Sequence, residues 1–167
     1  CFECPVGYYQ NATGAETCIT AEPGCYQNKT GQSSCIECEA GRYTNQHAAI
    51  ACECSHPGST PNNLRTKATE CPVGHITSSS CSTECAACTR GTIQLVSHIE
   101  CYICKQGFYQ NQDAQTSCKQ CPEGYFSSGN SSNWNCTACA PGKYASDKEK
   151  EICECAVEGR FAVGNGS

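Results

Sequence analysis

The chain has 167 residues, 20 of them Cys and none Met, with a formal net charge of −5. Leu, Ile, Val and Phe together make up only about 11 % of it, well below the ~20 % at which aliphatic burial can be expected to fold a chain unaided. The acidic balance and the lack of any Lys/Arg run argue against nucleic acid as a partner, and no stretch approaches the ~20 apolar residues of a membrane helix.

Such a cysteine content, even in number, reads as a disulfide framework made in an oxidising compartment, with covalent staples standing in for an oily interior. One small unit recurs along the whole chain, marked by Gly7, Gly24, Gly41, Gly58, Gly74, Gly91, Gly107, Gly124, Gly142 and Gly159 at spacings of 16 to 18 residues. Six of the seven prolines fall within two positions of these glycines, so each unit opens on a tight turn. Two residues after the Gly an aromatic ring is usual, and Tyr9, Tyr26, Tyr43, Tyr109, Phe126, Tyr144 and Phe161 are expected to form the core of their units. A polar stretch rich in Gly, Gln, Asn and Ser follows, then a closing Cys about eleven residues after the Gly. The unit therefore predicts a short two-stranded hairpin clamped at its base.

In chain order, the frame proposes bridges within units. The first joins Cys4 to Cys18. In the second unit the opening Cys is replaced by Ala21, and Cys25 takes over as the partner of Cys35. The third pairs Cys38 with Cys52. Around residues 54–85 the pattern is irregular, with Cys54 and Cys81 left to link the fourth and fifth units beside a bridge from Cys71 to Cys85. Regularity then returns in Cys88–Cys101, Cys104–Cys118, Cys121–Cys136 and Cys139–Cys153. Cys1 and Cys155 are expected to pair outside this segment, as part of a longer array. Spacing leaves an interlocked pattern between neighbouring units open as the competing arrangement. Each loop of about 14 residues removes roughly 3 kcal/mol of unfolded-chain freedom when bridged.

The fold class expected is therefore small and disulfide-rich: a continuous tandem array over residues 1–167 of about ten β-hairpin-like repeats, with little regular secondary structure and no helix bundle. Units that touch mainly their neighbours predict an elongated rod.

Other chemistry finds little support. The Cys101-x2-Cys104-x13-Cys118-x2-Cys121 spacing would also suit tetrahedral zinc, but the continuous sharing of each Cys-x-x-Cys between two loops favours bridges. His47, His56, His75 and His98 lie in separate polar loops and read as solvated. Glu37 with Glu39 and Glu151 with Glu154 are paired carboxylates without a companion nucleophile or base, so neither an enzyme nor a metal or organic cofactor is expected. Asn11, Asn28, Asn130, Asn135 and Asn165 head Asn-x-Ser/Thr sequons, half of the ten Asn, and N-linked glycans are expected. Cys136 is the middle residue of the Asn135 sequon and would hold that site tightly once bridged.

The pattern Cys-x-x-Cys-x-x-Gly-x-Tyr/Phe resembles the cysteine-rich repeat named after ephrin-type receptors. Its best copies begin at Cys1, Cys101, Cys118 and Cys136. It is also similar to the first module of tumour-necrosis-factor-receptor repeats and, more loosely, to EGF-like domains. Long arrays of this kind resemble surface proteins of ciliates and algae, including the tubular, mastigoneme-like appendages of flagellates. The resemblance covers essentially the whole chain and implies an extracellular or cell-surface protein. Two roles follow as expectations: a rod-like structural glycoprotein that packs head-to-tail or laterally into a filament, or the stalk or ligand-binding region of a receptor ectodomain.

Overall fold

A computed structural model describes residues 2–129, 134–145 and 152–155. Among them there is no helix, only nine antiparallel two-stranded hairpins, each made of strands adjacent in sequence. Hairpin 1 pairs Tyr8–Tyr9 with Ile19–Thr20, hairpin 2 pairs Cys25–Tyr26 with Ile36–Glu37, and hairpin 3 pairs Arg42–Tyr43 with Glu53–Cys54. Hairpin 4 pairs Ser59–Pro61 with Ala68–Glu70, hairpin 5 His75–Ile76 with Ala86–Ala87, and hairpin 6 Thr92–Gln94 with Cys101–Ile103. Hairpins 7, 8 and 9 pair Phe108–Tyr109 with Lys119–Gln120, Tyr125–Phe126 with Thr137–Ala138, and Lys143–Tyr144 with Glu154–Cys155. The tenth unit, around Gly159 and Phe161, lies outside the described residues.

The chain divides into two compact units, one comprising residues 1–71 and 77–85, the other 72–76 and 86–167. Both are built by the same local rules.

Each hairpin is entered through a β-turn in which the residue two before the Gly accepts a hydrogen bond from the residue after it, as in Tyr8 N–H to the Pro5 carbonyl (3.1 Å) or His75 N–H to the Pro72 carbonyl (2.9 Å). The Gly occupies the third position with φ between 75° and 90° along the chain, the signature of a type II turn. Pro23, Pro57 and Pro141 supply the second position, where a fixed φ pre-forms the bend. The same Gly then closes the base of its hairpin. Its carbonyl accepts the N–H of the residue that opens the next unit, as with Ala21 to Gly7 (2.9 Å), Cys38 to Gly24 (3.0 Å) and Cys121 to Gly107 (2.9 Å).

A second left-handed residue sits at the tip, seven positions after the turn Gly. Gly14 and Gly31 fill it in the first two hairpins, but Ala48, Arg65, Cys81, His98 and Ala114 fill it in the next five. His98 is accordingly half-buried at a structured tip, where a solvated loop residue was expected.

The tips reach backward. Within each compact unit the tip N–H donates to the carbonyl of the buried residue that opens the preceding hairpin: Gly31 to Cys4 (2.9 Å), Ala48 to Ala21 (2.8 Å), Cys81 to Ser55 (2.9 Å) and Ala114 to Cys88 (2.8 Å). At the equivalent step Arg65 spends its own N–H inside its tip, on Asn62, and its guanidinium donates to the Cys38 carbonyl instead. Two hairpins away, the tip backbone lies against the turn glycine. A Cβ built on Gly7, Gly24, Gly41 or Gly74 would meet the carbonyl oxygen of Ala48, Leu64, Cys81 or Ala114 at 2.4, 2.4, 1.9 and 2.0 Å respectively. The turn Gly is thus required twice, by its φ and by a backbone two units further along.

These two requirements separate experimentally. Gly14→Ala places a Cβ in open space and carries only the left-handed penalty of about 1–2 kcal/mol. Gly41→Ala carries that penalty and a clash with Cys81, so it should destabilise by clearly more, read as a larger fall in the urea midpoint of the oxidised protein. Equal effects would remove the close approach from the account.

Candidate functional site

Sulfur is placed by the turn. The opening residue, three before the Gly, is buried in every hairpin described: Cys4, Ala21, Cys38, Ser55, Cys71, Cys88, Cys104, Cys121 and Cys139. Where it is Cys, it reaches the closing strand of its own hairpin. The structure brings together Cys4 and Cys18, Cys38 and Cys52, Cys71 and Cys85, Cys88 and Cys101, Cys104 and Cys118, Cys121 and Cys136, and Cys139 and Cys153, with Cα atoms 5.6–5.8 Å apart.

Two hairpins depart from this rule. In hairpin 2, with Ala21 inside, the bridge moves out onto the strands as Cys25–Cys35. Hairpin 4, with Ser55 at the buried position, holds no bridge of its own, and Cys54, on the closing strand of hairpin 3 rather than in the fourth unit as expected, crosses to Cys81 at the tip of hairpin 5, a sequence separation of 27. Cys155 is an exposed free thiol, and Cys1 lies outside the described residues. The four sulfurs with zinc-like spacing belong to three separate bridges, so Cys101, Cys104, Cys118 and Cys121 do not form one site. Among the described residues no group of three or more His, Cys, Asp or Glu is placed to hold a metal ion.

The rings expected to be the core of each unit are not where burial is deepest. Tyr9, Tyr26, Tyr43, Tyr109 and Phe126 are half-buried, Tyr144 is exposed, and Phe161 lies outside the described residues. Strands of two or three residues give a large ring no second layer to pack under. Tyr109 instead carries the Lys119 ammonium 6.0 Å from its centroid at the surface.

The second buried position of the unit is polar, three after the Gly: Gln27, Thr44, Thr77, Gln94, Gln110 and Ser127. Sequence reasoning assigned these to the polar loop. Each of the glutamines in hairpins 2 and 7 acts as a clamp across its own tip. Gln27 Nε2 donates to the Ser34 carbonyl (2.6 Å) while Oε1 accepts from Lys29 N–H (3.0 Å), and Gln110 does the same with Ser117 (2.7 Å) and Gln112 (3.1 Å). Gln10 makes the corresponding pair with Thr17 and Ala12 in hairpin 1.

The same position links hairpins through its backbone. Its carbonyl receives the N–H of the preceding turn Gly, as in Gly7 to Gln27 (2.7 Å), Gly24 to Thr44 (2.9 Å), Gly91 to Gln110 (2.8 Å) and Gly107 to Ser127 (3.0 Å). At Gln94 the side-chain oxygen takes over, accepting from Gly74 N–H at 3.0 Å. Buried polar groups satisfied in this way cost little, whereas unpaired ones cost several-fold more than a hydrogen bond contributes.

The surface is polar and lightly paired. Tip residues meet the turn of the preceding hairpin through exposed contacts such as His47 with Glu22 (3.2 Å) and Arg90 with Asp113 (3.9 Å), pairs that water screens heavily. The Tyr102 hydroxyl donates to the Glu100 carboxylate, which holds that phenol above its ordinary range. Of the sequon residues, Asn11 and Asn28 are exposed at the equivalent place in hairpins 1 and 2, four residues after the Gly. Asn135 is exposed beside the Cys121–Cys136 bridge, and Asn130 and Asn165 lie outside the described residues. No helix among the described residues is long and apolar enough to cross a membrane.

This geometry, a disulfide-clamped hairpin repeated at a near-constant period, is where comparison with known proteins becomes informative. Residues 91–134 match the family model described as tyrosine-protein kinase ephrin type A/B receptor-like. The matched segment spans hairpins 6 and 7 and the first strand of hairpin 8, the most regular part of the frame, and the bridges throughout fit a cysteine-rich repeat array of that kind. Comparison with curated proteins finds no match. Repeats of this type and abundant disulfides are typical of extracellular or surface proteins.

Truncating the clamp tests its weight. Gln110→Ala removes both part-buried bonds of the clamp, to the Ser117 carbonyl and from the Gln112 N–H, and at about 0.5–1.5 kcal/mol per bond should cost roughly 1–3 kcal/mol. Faster amide exchange should be confined to residues 108–120. Exchange no faster than in the wild type would show that the clamp contributes nothing.

Proposed function

We propose that this chain is part of a structural extracellular glycoprotein, a rod-like building block of a surface fibre, appendage or filament, with no catalytic role and no cofactor beyond N-linked glycans. The observation that carries the reading is the backward interlock. Four tips donate a backbone N–H to the hairpin before them and four lie in close backbone contact with the turn two before them, a rule that any number of repeats can satisfy. An architecture whose contacts are nearest-neighbour and next-nearest-neighbour grows along one direction. Head-to-tail or lateral packing of such rods would be heterologous and would propagate into a filament. The runner-up is a receptor stalk or ligand-binding ectodomain, favoured by the receptor-like family model matched over residues 91–134.

Electron microscopy of the native material tests the choice. Ordered fibres are expected under the structural reading, while dispersed monomers with a saturable protein partner would replace it with the receptor reading.

The glycans are expected at Asn11 and Asn28, both exposed on hairpin tips. At Asn135 the bridge and the sugar compete. Cys136 is tied to Cys121, and Thr137 is held in the strand opposite Phe126, so the sequon can be read only before the hairpin closes. Glycopeptide mass spectrometry should find low occupancy at Asn135 in the wild type and higher occupancy in Cys121→Ser. Unchanged occupancy would sink this competition.

A further inference from the structure

The departures from the repeat are few, and three of them converge on one cavity. In hairpin 2 the sulfur has left the interior, where Ala21 stands, and lies on the strands as Cys25–Cys35. In hairpin 4 the tip residue is Arg65, which reaches Cys38 through its side chain, and Leu64 before it lays its carbonyl against Gly24. The outer bridge, Leu64 and Arg65, with Tyr9 and Glu37, line a cavity of about 430 Å³. The groove that the regular frame makes nearby, beside Tyr26, Arg42 and Cys52, measures about 230 Å³. The larger cavity is lined by the substituted positions, and all of its lining belongs to one compact unit.

Its chemistry is specific. The Tyr9 ring, Pro23 and the disulfide give an apolar wall. On the lining opposite charges stand together, with Arg65 Nη1 3.9 Å from Glu37 Oε2. A balanced pair offers no net attraction to an anion or a cation. It does offer a carboxylate acceptor beside guanidinium donors, the arrangement that adjacent hydroxyls of one ligand can satisfy together. A half-buried tyrosine on the lining beside such a pair suits the C–H face of a sugar ring, with few polar anchors fixing its orientation.

We propose that this cavity is a binding site for a neutral pyranose saccharide. Two sources share that chemistry: a glycan from outside the chain, or the chain's own sugar at Asn11, two residues from Tyr9. The site does not depend on the filament reading.

The test is ligand-observed saturation-transfer NMR on the full chain secreted from eukaryotic cells, with cellobiose, maltose and N,N′-diacetylchitobiose as probes. It is run on the wild type and on Asn11→Gln. For an open site with few anchors, Kd on the order of 1 mM is expected for at least one probe. Binding by both proteins assigns an outside glycan, and binding by Asn11→Gln alone assigns the chain's own sugar as the resident. Tyr9→Leu and Glu37→Gln should each weaken the response about tenfold or more, with unreduced mass and amide dispersion confirming that the bridges and fold are kept. Failure of all three probes with both proteins, at concentrations up to roughly ten times that Kd, overturns the proposal. So does an unaltered response in both folded variants.

Discussion

Close approach of backbone to backbone at the turn glycine is the constraint on which this structure rests. A hairpin of two-residue strands has almost nothing to bury, and the chain has too few aliphatic side chains to build a layer under it. What replaces the layer is peptide against peptide. The turn of one hairpin, the buried residue three before it and the polar residue three after it form a line whose donors and acceptors are taken up by the next hairpin. Small residues are therefore mandatory at the opening position, which explains why Cys, Ala and Ser interchange there while everything around them adjusts.

Disulfides and hydrogen bonds divide the work. A bridge within a hairpin shortens the loop that the unfolded chain must close, worth roughly 3 kcal/mol per loop of this size. It does not by itself join one hairpin to another. That joining falls to the backbone bonds and to the buried side-chain oxygens and nitrogens, and at one place to sulfur, where Cys54–Cys81 spans two hairpins. The frame tolerates such exchanges. Arg65 replaces a backbone donor with a guanidinium, Gln94 replaces a backbone acceptor with an amide, and hairpin 2 moves its bridge to the surface.

The hairpins, the turn and the repeat period were legible because each is written in residues with strong local preferences: Gly at positive φ, Pro before it, Cys at fixed distances. The interior was less so. Gln27 and Gln110 read as loop residues because polarity is normally an exposure signal, and nothing local says that an amide will be consumed by its own tip. The rings misled in the opposite sense, since their size suggests a core that two-residue strands cannot enclose. The tip conformation had a faint signal in Gly14 and Gly31, seven residues after consecutive turn glycines, which disappears once Ala48 and Arg65 occupy the same place. The cavity beside Tyr9 was not legible at all, because it is assembled from residues of three different repeats.

The backward direction of the tips has a consequence for biosynthesis. A chain is made amino end first, and domains fold in that order as they emerge. Four tips donate their N–H to carbonyls of hairpins made earlier, while the turn glycines and buried polar residues of the earlier hairpins donate to carbonyls made later, as Gly7 does to Gln27 and Gln27 to Ala49. Each newly made hairpin thus meets a predecessor whose turn and buried-position donors are still waiting for its carbonyls, and the two are completed together. A mispaired thiol in one hairpin would therefore be felt by the two hairpins that follow, through the donors they take up and the turn glycine they lie against.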